Sequence, residues 1–136
     1  MSAPLAGFSG VSLPLAIAAG AAIGALGRHY VGLFMTRLLG ASFPWGTLTV
    51  NVLGAFLMGG LVAFFAHKGG MPPEVRGFLV VGLLGSFTTF SAFSMEATML
   101  YERGAYMATG GYVLGSVGLS IAGFALGLAA LRTVAG

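Results

Sequence analysis

The strongest constraint in this sequence is the near absence of charge from four long apolar stretches. Charged residues make up 7% of the 136 residues, whereas a soluble protein has about 25%. A helix needs about 20 apolar residues to cross a bilayer, and each stretch is near that length. The chain is therefore predicted to be an all-α integral membrane protein, with one membrane domain over residues 1–136. Its four transmembrane helices are expected over residues 13–33, 45–66, 75–100 and 106–131.

Several other classes of protein are not expected. The chain has no cysteine, which excludes disulfides and thiolate metal sites. Its six basic residues are scattered, so no patch suits nucleic acid. His29 and His67 show no metal-ligand spacing, and no nucleophile–base pair is visible, so an enzyme is not predicted. Residues 1–10 lack the positive charge of a signal peptide, and no cleaved signal is expected.

The basic residues are divided equally between the two sides of the predicted membrane domain. Four spans place both termini and the middle connector on one side, together with Lys68, Arg76 and Arg132. The other side carries Arg28, Arg37 and Arg103. Because the Lys/Arg bias normally sets orientation, this balance predicts insertion in both orientations, with two copies pairing antiparallel. The alternative is one orientation fixed by other features.

The third stretch contains the polar segment GSFTTFSAFSME over residues 85–96. Five hydroxyl residues follow Gly82 and Gly85, which favours a break in the third helix. Non-helical backbone at membrane depth must be buried in protein or line a cavity, and its carbonyl groups can bind ions. The alternative is a continuous helix whose hydroxyls bond to carbonyls one turn earlier.

Two kinds of side chain around this segment are candidates for an anion path. Phe87, Phe90 and Phe93 are spaced to lie near one helix face, where they either pack or present their positive ring edges to an anion. Asn51 is the only carboxamide of the second span. It either makes an interhelical hydrogen bond or donates to an anion.

Further polar residues lie in the other spans. Tyr112, Ser116 and Ser120 repeat every four residues and form one stripe, with back-bonding of the serines as the alternative. Arg28 lies near the end of the first predicted span, where its side chain can reach the interface. Glu96 is the one acid well inside a span, and intramembrane ionisable residues are functional candidates.

Small residues recur at four-residue spacing, a pattern that lets helix backbones approach closely in lipid. The pairs are Gly20/Gly24, Gly111/Gly115 and Gly123/Gly127. They predict tight packing within one bundle.

Three motifs together resemble one known family. The segments GALGRHYVG (24–32), FPWGTLTVNVLGAFLMG (43–59) and GLLGSFTTFSAFSMEA (82–97) are similar to those of the Fluc (CrcB-type) fluoride channels. The likeness covers all four spans. It implies a passive fluoride channel of the bacterial inner membrane, formed by an antiparallel, dual-topology homodimer with two pores.

The resemblance also implies roles for individual residues. Backbone carbonyls of Gly85 and Thr88 from each copy would hold a sodium ion at the dimer centre. Asn51 would lie at the pore entry and Arg28 near an anion vestibule. The pore would be lined by Phe90 and Phe93 and by the polar track Tyr112, Ser116 and Ser120. One turn beyond that track, where some members have another hydroxyl, this chain has Phe124.

Two other functions are compatible with a small membrane protein. A proton-coupled exporter of cationic compounds would need an acid in the first span, which has neither Asp nor Glu; Glu96 would have to replace it. A non-conducting assembly subunit would fit the glycine spacing but would leave the clustered hydroxyls unexplained.

Overall fold

The computed structural model describes residues 12–136 of the chain. This part is all-helical and contains four helices long and apolar enough to cross a membrane, which confirms the predicted fold class. The four spans are Ser12–Leu39, Trp45–Lys68, Pro73–Glu102 and Tyr106–Ala135. The expectation that no signal peptide is cleaved concerns residues outside the described part.

The third span is divided into segments, whereas the other three are single helices. We label the single helices α1 (Ser12–Leu39), α2 (Trp45–Lys68) and α6 (Tyr106–Ala135). The third span comprises α3 (Pro73–Arg76), a π-helix (Gly77–Leu84), α4 (Gly85–Phe87) and α5 (Phe90–Glu102).

Short connectors join the spans, and glycines with positive φ terminate two of the helices. α1 continues past residue 33 to Leu39, and Gly40 (φ 87°) donates its N–H to the carbonyl of Thr36. α2 ends in the same way at Gly69 (φ 73°), whose N–H bonds the carbonyl of Phe65. Glycine adopts this left-handed conformation without steric cost, so it suits the end of a helix.

The helices pack in two close pairs, and two of the predicted glycine pairs lie between them. A methyl group on Gly24 of α1 would meet the backbone carbonyl of Leu83 in the third span. A methyl group on Gly127 of α6 would meet the carbonyl of Phe56 in α2. Gly111 and Gly115 differ, because nothing in the described chain lies within 4 Å of a methyl group placed there. Part of α6 is therefore uncovered in a single copy.

The predicted break in the third span is present at Thr88 and Thr89, between α4 and α5. Both residues are extended, with φ −87° and ψ 157° at Thr88 and φ −154° and ψ 120° at Thr89. The break separates Phe87 from Phe90. The ring of Phe87 lies beside Gly27 of α1, so the single face predicted for the three phenylalanines is wrong.

Candidate functional site

The carboxamide of Asn51 holds the broken backbone of the third span. Its Nδ2 donates to the carbonyl of Thr89 at 3.0 Å, and its Oδ1 accepts the N–H of Thr89 at 2.7 Å. Asn51 thus makes the interhelical hydrogen bond that was one of its two sequence-based interpretations. A carboxamide has two N–H donors, and the residues from 12 to 136 engage one of them.

At the break, two backbone carbonyls lose their helical donors, which bond side chains instead. In a continuous helix the N–H of Thr89 would bond the carbonyl of Gly85, but here it bonds Asn51. The N–H of Ala92 would likewise bond the carbonyl of Thr88, but it bonds Thr89 Oγ1 at 3.2 Å. Gly85 and Thr88 therefore carry carbonyl oxygens that are available to another donor or to a cation.

One cavity, of about 440 Å³, lies beside the break and collects most of the predicted anion-path residues. We call it the hydroxyl cavity. Its predicted members are Asn51, Phe90, Phe93, Ser116 and Ser120. Phe124, which follows the polar stripe on α6, lines the same cavity and ends the row of hydroxyls.

The two serines of the hydroxyl cavity differ from several other hydroxyl residues of the spans. Ser94, Thr98 and Thr109 each donate to the carbonyl four residues earlier, at 2.8–2.9 Å. Ser116 is buried, yet its Oγ has no hydrogen-bond partner in the described chain. The Ser120 side chain has none there either. Back-bonding, the plainer interpretation of this stripe, is therefore absent at both positions.

The aromatic rings beside this cavity form a contiguous group. The centroid of Phe93 lies 5.4 Å from that of Phe90 and 5.2 Å from that of Tyr112. Phe93 and Tyr112 are buried, whereas Phe90 is 77% exposed in a single copy. Tyr112 is thus next to the cavity but does not line it, and its hydroxyl points to Glu96.

A second cavity, of about 710 Å³, lies near the α1–α2 connector. We call it the arginine cavity, since it is lined by Arg28, Arg37 and Arg103. The one acid among the described residues that line it is Glu96, whose carboxylate accepts hydrogen bonds from Thr47 Oγ1 at 2.9 Å and Tyr112 Oη at 2.7 Å. The predicted site residues Arg28 and Glu96 therefore meet here and not among the serines.

Arg28 is placed differently from the sequence-based expectation. Because α1 continues to Leu39, Arg28 lies roughly 16 Å before the end of the helix. Its Nε donates to the carbonyl of Ser86 at 3.1 Å, next to the break. The side chain is thus a partner of the broken backbone, and the helix-end position expected for it is wrong.

Two residues of this site were missed in the sequence. Thr89 lines both cavities, and its side chain caps α5. Thr47 bonds Glu96, and it lies four residues before Asn51 on α2, hence on the same face. That spacing was a usable signal, whereas nothing local in the sequence distinguishes Thr89 from its neighbour Thr88.

The fold and the two cavities define a small multi-pass membrane protein with a broken span. Broken spans of this kind line ion and substrate sites in channels and transporters, because irregular backbone is tolerated only in protein or beside a cavity.

Comparison with known proteins identifies the family. The family described as "CrcB-like protein, Camphor Resistance (CrcB)" matches residues 15–128. The chain belongs to this family, as its motifs indicated. A protein of Rhizobium meliloti (strain 1021) named "Fluoride-specific ion channel FluC" is 49% identical over 120 residues, which cover 88% of this chain and 96% of that protein.

Two further relatives carry the same name. The one from Rhizobium leguminosarum bv. trifolii (strain WSM2304) is 50% identical, over 89% of this chain and 97% of its own. The one from Rhodopseudomonas palustris (strain BisB5) is 49% identical, over 85% and 93%. With its four spans, the chain is thus a multi-pass bacterial membrane protein.

Proposed function

We propose that this protein is a fluoride-selective passive channel through which fluoride leaves the cell. The names of its relatives support this function. The protein would thus act as a channel and not as an enzyme. Hydrogen fluoride crosses membranes uncharged and ionises in a more alkaline cytoplasm. A negative-inside potential then favours exit of the anion by about 2.3 kcal/mol per 100 mV.

The observation that carries the proposal is the buried hydroxyl of Ser116. A buried polar group normally has a hydrogen-bond partner, and the Oγ of Ser116 has none in the described chain. It lines the same cavity as Ser120, Asn51 and the ring of Phe93. Hydroxyl and amide donors together with positive ring edges suit a small anion that gives up its water. Among residues 12–136, no Lys, Arg or His lines this cavity, so the ion would not be held too tightly to leave.

The two cavities suggest an order of passage. The arginine cavity attracts anions through its three guanidinium groups. Thr89 lines both cavities and so lies where an anion would pass from one to the other. In the hydroxyl cavity, Phe90, Phe93, Ser116 and Ser120 would replace the water of fluoride. Tyr112 packs against Phe93 and bonds Glu96, which lines the arginine cavity, so it would fix the wall between the two cavities.

We also propose that two copies pair antiparallel. The carbonyl of Gly85 lacks its helical donor, and Gly85 is exposed in a single copy. Such a group cannot face lipid, so another protein surface would cover it. The uncovered glycines of α6 and the exposed ring of Phe90 offer further surface for a partner. The equal distribution of Lys and Arg permits both orientations.

A sodium ion fits the dimer centre of this proposal. The carbonyls predicted to hold it, those of Gly85 and Thr88, are the two whose helical donors are diverted to Asn51 and Thr89. Neutral carbonyl oxygens suit a hard cation. The described residues contain no cluster of three or more acidic, histidine or cysteine side chains, so backbone oxygens are the natural ligands. A bound cation would hold the two breaks together and raise the local positive potential.

The alternative of a proton-coupled exporter has less support. α1 contains no acid, and both carboxylate oxygens of Glu96 already accept hydrogen bonds from Thr47 and Tyr112. The family found by comparison is also one whose relatives are named as fluoride channels.

Fluoride efflux from liposomes containing the purified protein tests the function. Fluoride should leave quickly when a potassium ionophore dissipates the opposing voltage, and chloride should be retained under the same conditions. Equal efflux of the two anions would remove the selectivity claim. Protein-dependent proton release with an organic cation, without fluoride efflux, would favour the exporter.

A further inference from the structure

The arginine cavity has an excess of unpaired positive charge. It is lined by Arg28, Arg37 and Arg103, with His29 beside them, and Glu96 is the only acid among the described residues that line it. No arginine forms an ion pair within residues 12–136. The carboxylate of Glu96 is bonded instead to Thr47 and Tyr112. The three guanidinium groups therefore have no carboxylate partner.

Most of the donors on these arginines are available. Arg37, in the last turn of α1, makes no hydrogen bond to the described residues. Arg103 uses one N–H on the carbonyl of Ser42 at 2.9 Å, and Arg28 uses one on the carbonyl of Ser86. Since a guanidinium has five N–H donors, each of these side chains keeps at least four N–H groups for a ligand.

The backbone adds further positive potential to the same place. Trp45, Gly46 and Thr47, the first turn of α2, line the cavity, and no side chain caps this 24-residue helix. The N–H of Trp45 bonds the carbonyl of Phe43, but those of Gly46 and Thr47, as first N–H groups of a helix, lack intrahelical partners and carry partial positive charge. They would favour an anion in the cavity.

The other end of the bundle lacks this arrangement. There Lys68 lies over the ring of Phe64, with Nζ 5.9 Å from the centroid, and Arg76 lies 5.4 Å over the ring of Phe65. These cations are engaged by aromatic faces. The guanidinium cluster is thus specific to one end.

The chemistry of the arginine cavity exceeds what a monatomic anion requires. A planar guanidinium matches two oxygens of a carboxylate or phosphate at once, which a spherical ion cannot exploit. The cavity is lined by three arginines and no lysine, with His29 beside them, and its volume of about 710 Å³ accommodates a polyatomic anion.

We propose that the arginine cavity binds a phosphate-type oxyanion through Arg37 and Arg103, and that the bound oxyanion obstructs access to Thr89. The ligand is either free phosphate or the phosphate of an anionic lipid headgroup. Binding is independent of what the channel conducts, whereas obstruction rests on the fluoride function proposed above.

Calorimetric titration of inorganic phosphate into the purified protein, in neutral detergent at constant ionic strength and pH 7.5, tests the binding. Wild type should bind phosphate. Arg37→Gln should bind about tenfold or more weakly, because a charge-assisted hydrogen bond is lost. This variant removes no contact within the described chain, so misfolding does not explain the loss. Arg37→Lys keeps the positive charge but loses the planar guanidinium that can bond two oxygens at once, so it should bind phosphate less tightly than wild type.

The matched control is Arg132→Gln, which removes one positive charge at the other end of α6. Its phosphate affinity should equal that of wild type. Absence of phosphate binding to wild type, or an equal loss in Arg132→Gln and Arg37→Gln, would overturn the site.

Fluoride efflux separates the two sources of phosphate. If free phosphate is the ligand, adding it should slow efflux from phosphatidylcholine vesicles several-fold, and Arg37→Gln should resist the effect. If a lipid headgroup is the ligand, efflux should be slower in vesicles containing phosphatidylglycerol than in phosphatidylcholine vesicles, and Arg37→Gln should narrow this difference, whatever its own basal rate. Phosphate binding with unchanged efflux in every case contradicts the obstruction but not the site. Binding by a protein that conducts no fluoride contradicts the proposed function alone.

Discussion

The side chain of Asn51 and the backbone of Thr89 form a reciprocal pair of hydrogen bonds across 38 residues of sequence. Each partner both donates and accepts, as two backbone strands do. This pair replaces the helical bonds that Thr89 would make in a continuous third span. It also lies between the two cavities, so the residue that supports the break lies on the proposed path.

Asn51→Asp tests this double role. The substitution replaces the amide donor by a carboxylate oxygen that faces the carbonyl of Thr89 and repels an incoming anion. We expect fluoride efflux to fall several-fold or more, because a fixed negative charge beside the path raises the barrier for an anion. Size-exclusion chromatography should still show a dimer. Thr49→Ala removes a hydroxyl that bonds Trp45 on the same helix and should leave efflux unchanged. Wild-type efflux in Asn51→Asp would contradict the assignment.

Ser116→Ala should separate function from stability. The hydroxyl of Ser116 has no partner in the described chain, so its removal should leave the thermal midpoint unchanged or raise it. Fluoride efflux should fall several-fold, because a donor on the path is lost. The control Ser94→Ala removes a hydroxyl that bonds Phe90 and should conduct normally. A lower midpoint with normal efflux would show that Ser116 is structural.

Phe90→Ile should slow efflux without unfolding the protein. Isoleucine keeps an apolar side chain but removes the positive ring edge, and Phe90 is 77% exposed in a single copy. Phe34, 63% exposed on α1, provides the control Phe34→Ile, which should conduct as wild type. Stopped-flow fluoride measurements on both variants decide the outcome. Equal efflux rates in Phe90→Ile and Phe34→Ile would mean that the ring of Phe90 serves only in packing and does not contact the anion.

The balance of basic residues predicts both orientations in the membrane. Paired reporter fusions at the C-terminus, one active in the cytoplasm and one outside it, should both give signal in comparable amounts. Adding two lysines next to Lys68 should bias insertion and lower efflux, because fewer antiparallel pairs would form. A single orientation for the wild-type chain would refute dual topology.

The sodium proposal predicts that backbone position matters more than side-chain chemistry at the break. Thr88→Ser keeps both the carbonyl and the hydroxyl that bonds Leu84, so its effect should be mild. Gly85→Leu should disrupt the dimer, although a methyl group there lies 3.4 Å from its nearest intrachain atom, the Val80 carbonyl oxygen. Dimer stability should also fall when a large organic cation replaces sodium. Unchanged stability in that exchange would remove the claim.

Much of the architecture follows from local properties of the sequence. Four apolar stretches of sufficient length define four spans, and glycines next to clustered hydroxyls predict the break. Gly40 and Gly69 end their helices through positive φ, which only glycine adopts at no steric cost. These features depend on a few neighbouring residues, so they can be predicted from the chain alone.

The partners of the polar residues depend on contacts between spans, which the sequence does not display. Arg28 was expected at a helix end, yet α1 continues and brings it to the carbonyl of Ser86. From the sequence, the carboxylate of Glu96 could equally have been unbonded or hydrogen-bonded. The structure shows that it accepts hydrogen bonds from Thr47 and Tyr112. Hydrophobicity fixes where a span lies but not how it is rotated, and rotation decides these contacts.

The reciprocal pair between Asn51 and Thr89 has a consequence for how the chain enters the membrane. Before α2 and the third span meet, no carboxamide is available to Thr89. The N–H of Thr89 would then bond the carbonyl of Gly85, as it would in a continuous helix. The third span would then insert as an uninterrupted helix with its backbone groups satisfied internally. The break would open afterwards, when α2 docks, so the ion site would be a product of assembly rather than of insertion.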